Sequence, residues 1–185
     1  MADTNKVKFG LKNVYYAIAT IADGAVTYGT PKAWPGAVSL DLSPSGDAEP
    51  FRADNMDYWR PAGSGSYSGN LTMAYLPDTV KTDLFGDATD KNGLVVEQAG
   101  GSAVPFALMF EFSGDQNEVR HVLYNVTASR PNINSETTPA DNLTPITVEI
   151  PVSASANVDG YIKGSATEGD AAYASFFTAV QVPDF

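Results

Sequence analysis

The fold is decided by FALMFEFSGDQNEVRHVLYNVTAS (residues 106–129), which predicts two β-strands joined by a polar turn. Every second residue of the first strand is large and apolar: Phe106, Leu108, Phe110 and Phe112. Side chains two residues apart share one face of a strand. We therefore expect this aromatic face to form the centre of the hydrophobic core of an antiparallel β protein.

Further strands are predicted on both sides of this hairpin. Three segments alternate apolar and polar residues with the period of a half-buried strand: Ala37–Ser43, Ser66–Leu76 and Pro145–Ser153. We expect Val38 and Tyr75 on the buried faces of the first two. Pro151 lacks a backbone N–H, so its strand is expected at a sheet edge or near its own end.

A second hairpin is predicted where Asp23-Gly24 separates Val14–Ile21 from Ala25–Tyr28. The Asp-Gly pair readily adopts the positive φ angles of a two-residue turn. Both flanking segments are rich in aromatic and β-branched residues, which favour strands.

One segment has a helical period instead. In LPDTVKTDLFG (76–86) every fourth residue is apolar, which predicts a short helix over about 77–85, capped by Asp78 and ended by Gly86. Near the end of the chain, a second apolar set has helical spacing but is equally compatible with an extended strand: Tyr173, Phe176, Phe177 and Val180.

The length of 185 residues predicts a single domain, 1–185, and the strand patterns predict that it is mainly antiparallel β with a short helix packed on the sheet. Three parts lie outside the regular pattern: an N-terminal arm (1–12), a long loop or hairpin (43–65) rich in Pro and Gly, and a C-terminal segment (157–185). A loop as long as 43–65 is usually functional.

Composition excludes several classes of protein. There are 22 Asp and Glu against 11 Lys and Arg, a net charge of −11, so we expect no tight binding of nucleic acid. With no Cys and one histidine, His121, the chain lacks thiolate metal sites and the common nucleophile–base pairs, and we expect neither an enzyme nor a cofactor. No apolar run approaches the ~18 residues of a membrane helix, and the first residues do not resemble a signal peptide.

An ordered set of segments resembles a known family: NKVKFGLKNVYYA (5–17), LPDTVKTDLFG (76–86), the paired strands of 106–129, PITVEIPVSASA (145–156) and YASFFTAVQVP (173–183). Together they are similar to the major tail proteins, or tail tube proteins, of long non-contractile-tailed phages (siphophages) that infect Gram-positive bacteria. The resemblance spans nearly the whole chain.

The resemblance implies a structural virion protein with a β-sandwich or barrel and a flanking helix. Members of this family form hexameric rings that stack into the tail tube, the channel for the genome. The implied partners are further copies of the chain, the tape measure protein and the tail terminator, with DNA passing through without specific binding. We expect synthesis in the host cytoplasm and assembly into the virion tail, without a membrane.

Two sets of residues are candidates for this role. Ser39, Asp41, Thr147 and Glu149 are expected on polar strand faces that line the channel, because acids and hydroxyls hold phosphate weakly; alternatively these faces look outward. Phe51, Met56, Tyr58 and Trp59 are expected at a subunit interface, where aromatic residues are often anchors; alternatively they form a platform for a sugar or fold onto their own core.

The competing hypothesis is a binding module, a β-sandwich of the virion that displays Trp34, Tyr58 and Trp59 to a glycan or a host receptor. Such a module needs no axial stacking of copies. The two terminal segments are further candidates for contacts between rings.

Overall fold

A computed structural model of the chain describes residues 5–45, 51–59, 65–137 and 145–185, with only the backbone described for Phe51, Asp57 and Trp59. Within these ranges the strands are β1 (Lys8–Ala22), β2 (Ala25–Tyr28), β3 (Lys32–Ala33), β4 (Ala37–Ser45), β5 (Phe51–Ala53), β6 (Met56–Trp59), β7 (Ser66–Met73), β8 (Ala88–Thr89), β9 (Val95–Val96), β10 (Phe106–Gly114), β11 (Val119–Ala128), β12 (Val148–Ser155) and β13 (Lys163–Thr167). The helices are α1 (Asp78–Phe85) and α2 (Ala171–Ala174).

Most strands join one large antiparallel sheet in the order β2-β1-β10-β11-β12-β7-β4, with β3 beside β1 and β13 beside β11. The predicted central hairpin is β10–β11, in which Phe112 lies opposite Val119. The Asp23-Gly24 turn between β1 and β2 has the expected positive φ angles, 51° and 77°. The prediction of a mainly β, sandwich-like fold with a short flanking helix is confirmed.

The sheet folds over its own inner face, so that β4 lies near β1 without pairing to it. Phe106, Leu108 and Phe110 meet Leu71 and Ile150 in the core between the two halves. Burial of each such side chain contributes about 1.5–3 kcal/mol. The aromatic face of β10 is therefore the centre of the core, as predicted.

The outer face of β10 is buried as well, which the sequence did not lead us to expect. Ala107 and Met109 pack under the C-terminal segment, where Phe176 follows the single turn of α2 and Phe177 stacks on Tyr15 with ring centroids 4.6 Å apart. The C-terminal segment thus packs against its own sheet, with a four-residue helix in place of the longer helix or strand considered above.

A buried ion cluster holds this layer together. Glu111, completely buried on the outer face of β10, accepts a hydrogen bond from Arg120 Nε at 2.7 Å and lies 3.3 Å from Lys12 Nζ. The Arg120 guanidinium also lies 3.7 Å from the ring centroid of Tyr173 and donates to its backbone carbonyl. A buried carboxylate is destabilising unless it is paired. Arg120 of β11 pairs with Glu111 of β10 and also contacts Tyr173, so it links both strands to the C-terminal segment.

Two side chains expected in the core are exposed instead. The pairing of β4 with β7 shifts by one residue between Ala37 and Ser39, and this bulge leaves Val38 52% exposed. β7 ends at Met73, so the alternation does not continue to Tyr75.

The prediction for Pro151 is wrong, because its strand β12 lies inside the sheet between β11 and β7. The Pro151 carbonyl accepts from Ser129 N at 2.8 Å, so it faces the β11 side. The N–H and C=O of one residue point to the same side of a strand. The position that would carry the N–H of Pro151 therefore points toward the end of β11, whose pairing with β12 stops at Ala128. The pairing of β12 with β7 continues through Pro151 and is unaffected.

Helix α1 has the predicted extent and packs Val80 and Leu84 into the core. Gly86 ends it in the left-handed conformation (φ 70°), as expected, but the N-cap position is held by Pro77. Asp78 is the first helical residue and makes an ion pair with Lys81 rather than a cap.

Of the expected N-terminal arm (1–12), residues 8–12 belong to β1, which pairs with β10. Just before the strand, Asn5 Nδ2 donates to the Asn117 carbonyl at 2.7 Å, and its Oδ1 accepts from two backbone N–H groups of the β10–β11 turn.

Gly69 is required by the close approach of β7 and β4. A Cβ atom on Gly69 would lie 1.9 Å from the backbone carbonyl oxygen of Asp41. We expect Gly69→Ala to lower the free energy of unfolding by at least about 2 kcal/mol in urea denaturation. Gly29→Ala is the control, since its Cβ meets only an ordinary 3.7 Å contact and should change stability by less than about 1 kcal/mol. Equal stability of the two variants would contradict this account.

Candidate functional site

The outer faces of β4, β7 and β12 form one continuous polar surface. Ser39 of β4 lies opposite Thr72 of β7, which lies opposite Glu149 of β12. All three side chains are exposed or half-buried, while their neighbours Leu71 and Ile150 point into the core.

Two further rows extend this surface along the strands. The second row is Asp41, Asn70 and Pro151, and the third is Ser43, Ser68 and Ser153. The third row continues to exposed Thr127 of β11, which pairs with Ser153. We call this three-row surface, with Thr127, the polar face; its charged members, Asp41 and Glu149, are both acidic.

The structure brings three of the four predicted channel residues, Ser39, Asp41 and Glu149, onto the polar face. Thr147 lies one residue before β12 begins, half-buried beside the same crevice as Glu149. Sequence reasoning missed Asn70 and Thr72, although both alternate with core residues in β7. Alternation places a residue on the outer side of its own strand, but only the strand order brings β7 between β4 and β12.

Within the expected loop or hairpin 43–65, residues 43–45 end β4 and residues 51–59 form the hairpin β5–β6. Asp54 and Asn55 make its turn with φ angles of 53° and 62°. Met56 is 59% exposed and Tyr58 is 68% exposed. The side chains of the other two predicted interface residues, Phe51 and Trp59, lie outside the described residues.

Trp34 is not available for display. It is only 1% exposed and packs edge-to-face on Tyr16 with ring centroids 6.0 Å apart. The expectation that Trp34 forms part of an exposed aromatic binding surface is therefore wrong.

The single histidine lies in a cation-rich environment. His121 stacks on Phe110 with ring centroids 5.4 Å apart and also contacts Phe112. Burial, followed by the charges of Lys163 on β13 and Lys8 on β1, lowers the pKa of His121 from 6.5 to about 4. The imidazole is thus neutral at pH 7.

In the part of the chain that the structure describes, no three His, Asp or Glu side chains are grouped so as to hold a metal ion. Neither of the two helices there has the length and apolar character needed to cross a membrane.

A comparison with known protein families gives a match over nearly the whole chain. A family model described as phage tail tube protein matches residues 2–178. A search of curated proteins finds no significant match.

The pKa of His121 predicts a specific loss of stability in acid. Because the pKa is near 4 in the folded chain and near 6.5 in the unfolded chain, unfolding takes up a proton between these values, and stability falls as pH decreases from 6.5 to 4. We expect His121→Gln to reduce this fall by about 1–2 kcal/mol, less than the full shift gives because the ring is partly solvated. Urea denaturation at pH 7, 5.5 and 4 measures it.

Other groups with shifted pKa values, such as Glu118, titrate in both proteins and cancel in the comparison. An identical pH dependence of stability in His121→Gln and the unaltered chain would show that burial of His121 has no such effect.

Proposed function

The chain belongs to the phage tail tube protein family, whose model matches residues 2–178, and from this we propose that its copies assemble into hexameric rings that stack as the tail tube. The protein then has a structural role and catalyses no reaction. Its place is the virion tail, and DNA passes through the tube during ejection. The tape measure protein, the tail terminator and synthesis in the host cytoplasm belong to the same proposal.

Assembly of a tube requires contacts that do not close on themselves, because a head-to-tail interface generates an open array of copies. The end strands of the sheet, β4 and β2, support lateral contacts within a ring. A strand edge presents N–H and C=O groups that can pair with another chain. We infer that sheets of neighbouring copies join edge to edge around the channel.

The observation that carries the proposal for the channel is the polar face. It spans β4, β7 and β12, consists mainly of hydroxyl and amide side chains, and has Asp41 and Glu149 as its charged members. DNA is bound by Lys and Arg that replace its counterions. A channel lined by this face would repel phosphate or hold it weakly, so that the genome can slide.

The hairpin β5–β6 is the proposed contact with a neighbouring copy. It pairs within itself, and it presents Met56 and Tyr58 to solvent. Large apolar and aromatic side chains are frequent anchors of interfaces. Tyr58 and Trp59, with Met56 and Phe51, would be covered on assembly.

Electron microscopy of the purified, concentrated protein in negative stain tests the proposed assembly. We expect hollow tubes or stacked rings. Discrete small particles at every concentration would contradict it and favour the binding-module hypothesis.

Reversal of charge on the polar face should impair passage of DNA but not assembly. We expect phage carrying Glu149→Lys to form tails of normal length and to eject DNA several-fold more slowly, because the new cation attracts phosphate. Ejection kinetics triggered in vitro measure this. Asp23→Lys, in the exposed turn at the opposite end of the sheet, is the control. Normal ejection by the Glu149→Lys variant would remove the proposed lining.

Removal of the hairpin aromatics should block assembly without unfolding the chain. We expect Tyr58→Ala and Trp59→Ala to remain folded by circular dichroism yet to form no tubes in negative stain. Tyr75→Ala, which removes an exposed aromatic elsewhere, should assemble normally. If both hairpin variants form tubes as readily as this control, the hairpin is not an interface.

A further inference from the structure

A cleft of about 320 Å³ opens where β4 lies near β1 without pairing. Its lining includes the aromatic side chains of Phe112, His121 and Tyr67. Lys8 and Lys163 also line it. An adjoining crevice of about 360 Å³ shares Lys8, Phe112 and His121 with the cleft, so the two form one continuous concave region.

The two lysines are placed on aromatic rings rather than on carboxylates. Lys8 Nζ lies 5.1 Å from the ring centroid of Phe112, and Lys163 Nζ lies 5.3 Å from that of Tyr67. Among the described residues neither makes an ion pair, and Asp41, the acid that also lines the cleft, is not paired with them. Lys12, in contrast, is paired with two glutamates.

The cleft therefore combines two positive charges with aromatic side chains, although the chain as a whole has a net charge of −11. His121 adds no charge at neutral pH, because its pKa is lowered by burial and by these same lysines. A group that fits this surface carries a carboxylate between the cations and apolar atoms against the rings. Complementary charge of this kind fixes the register of an interface and disfavours wrong partners.

The described hairpin β5–β6 offers this chemistry. Asp54, at its turn, is exposed, and Met56 and Tyr58 beside it are exposed and apolar. Within one chain β5 and β6 pair with each other, and Asp54 has no ion pair with Lys8 or Lys163. Asp54, Met56 and Tyr58 of one copy are thus exposed and can contact the cleft of another.

We propose that the cleft is the docking site for the β5–β6 turn of a second copy, with the Asp54 carboxylate between Lys8 and Lys163 and with Met56 and Tyr58 covering the aromatic side chains of the cleft. This assignment rests on the proposed function, in which the hairpin contacts a neighbour, and it names the surface that the hairpin meets. The contact is head-to-tail, because a copy that donates its hairpin still has an open cleft.

Charge exchange between the two surfaces tests the assignment. Lys163→Glu and Asp54→Lys should each raise the protein concentration needed for tube formation by at least about tenfold, measured by light scattering and negative stain. The double variant Lys163→Glu/Asp54→Lys should restore assembly to within a few-fold of the unaltered chain, because the pair is re-formed with its signs exchanged.

Two matched controls separate this contact from effects of charge and backbone. Lys91→Glu makes the same change of charge in an exposed turn away from the cleft. Asp23→Lys changes an exposed Asp that, like Asp54, occupies the first position of a hairpin turn with a φ near 50°. Both controls should assemble like the unaltered chain.

The outcomes distinguish the docking site from the proposed function. Tubes formed by the unaltered chain and equally well by Lys163→Glu would overturn the docking site while the tube remained. Loss of assembly in both single variants without recovery in the double variant would also overturn it. If the unaltered chain forms no tubes at all, the proposed function fails and the docking site fails with it.

Discussion

The burial of β10 on both faces is the constraint on which the rest of the structure depends. Its inner face supplies Phe106 and Phe110 to the core, and its outer face supplies Met109 and the carboxylate of Glu111. A buried carboxylate has to be paired, and Arg120 both pairs it and contacts the C-terminal segment. The C-terminal segment is consequently a structural layer of the sheet.

That layer packs on the outer faces of β1, β10 and β11. At the end of β11 and along β12 the outer-face residues that the structure describes are polar and exposed, as at Thr127 and Ser153. The outer surface of one continuous sheet thus has a buried apolar part that stabilises the fold and an exposed polar part that is available for function. For a chain that belongs to a tail tube family, this exposed polar part, the polar face, is the surface that we propose faces the channel.

Alternation along single strands predicted much of this, including the aromatic core face of β10 and the outward direction of Ser39, Asp41 and Glu149. It failed where pairing is irregular, as at Val38, which a bulge exposes. It also failed where the outcome depends on distant segments: Trp34 is buried, and Pro151 is accepted inside the sheet because β11 ends beside it. Strand order and the cation-lined cleft arise from contacts between residues far apart in sequence, which local patterns do not contain.

The most direct measurement is a cryo-electron microscopy reconstruction of the assembled protein at side-chain detail. We expect a hollow tube of identical copies with β4, β7 and β12 around the channel and with Asp41 and Glu149 directed into it. A polymer whose channel is lined by basic side chains or by the C-terminal segment, with those two carboxylates on its outside, would contradict the central claim.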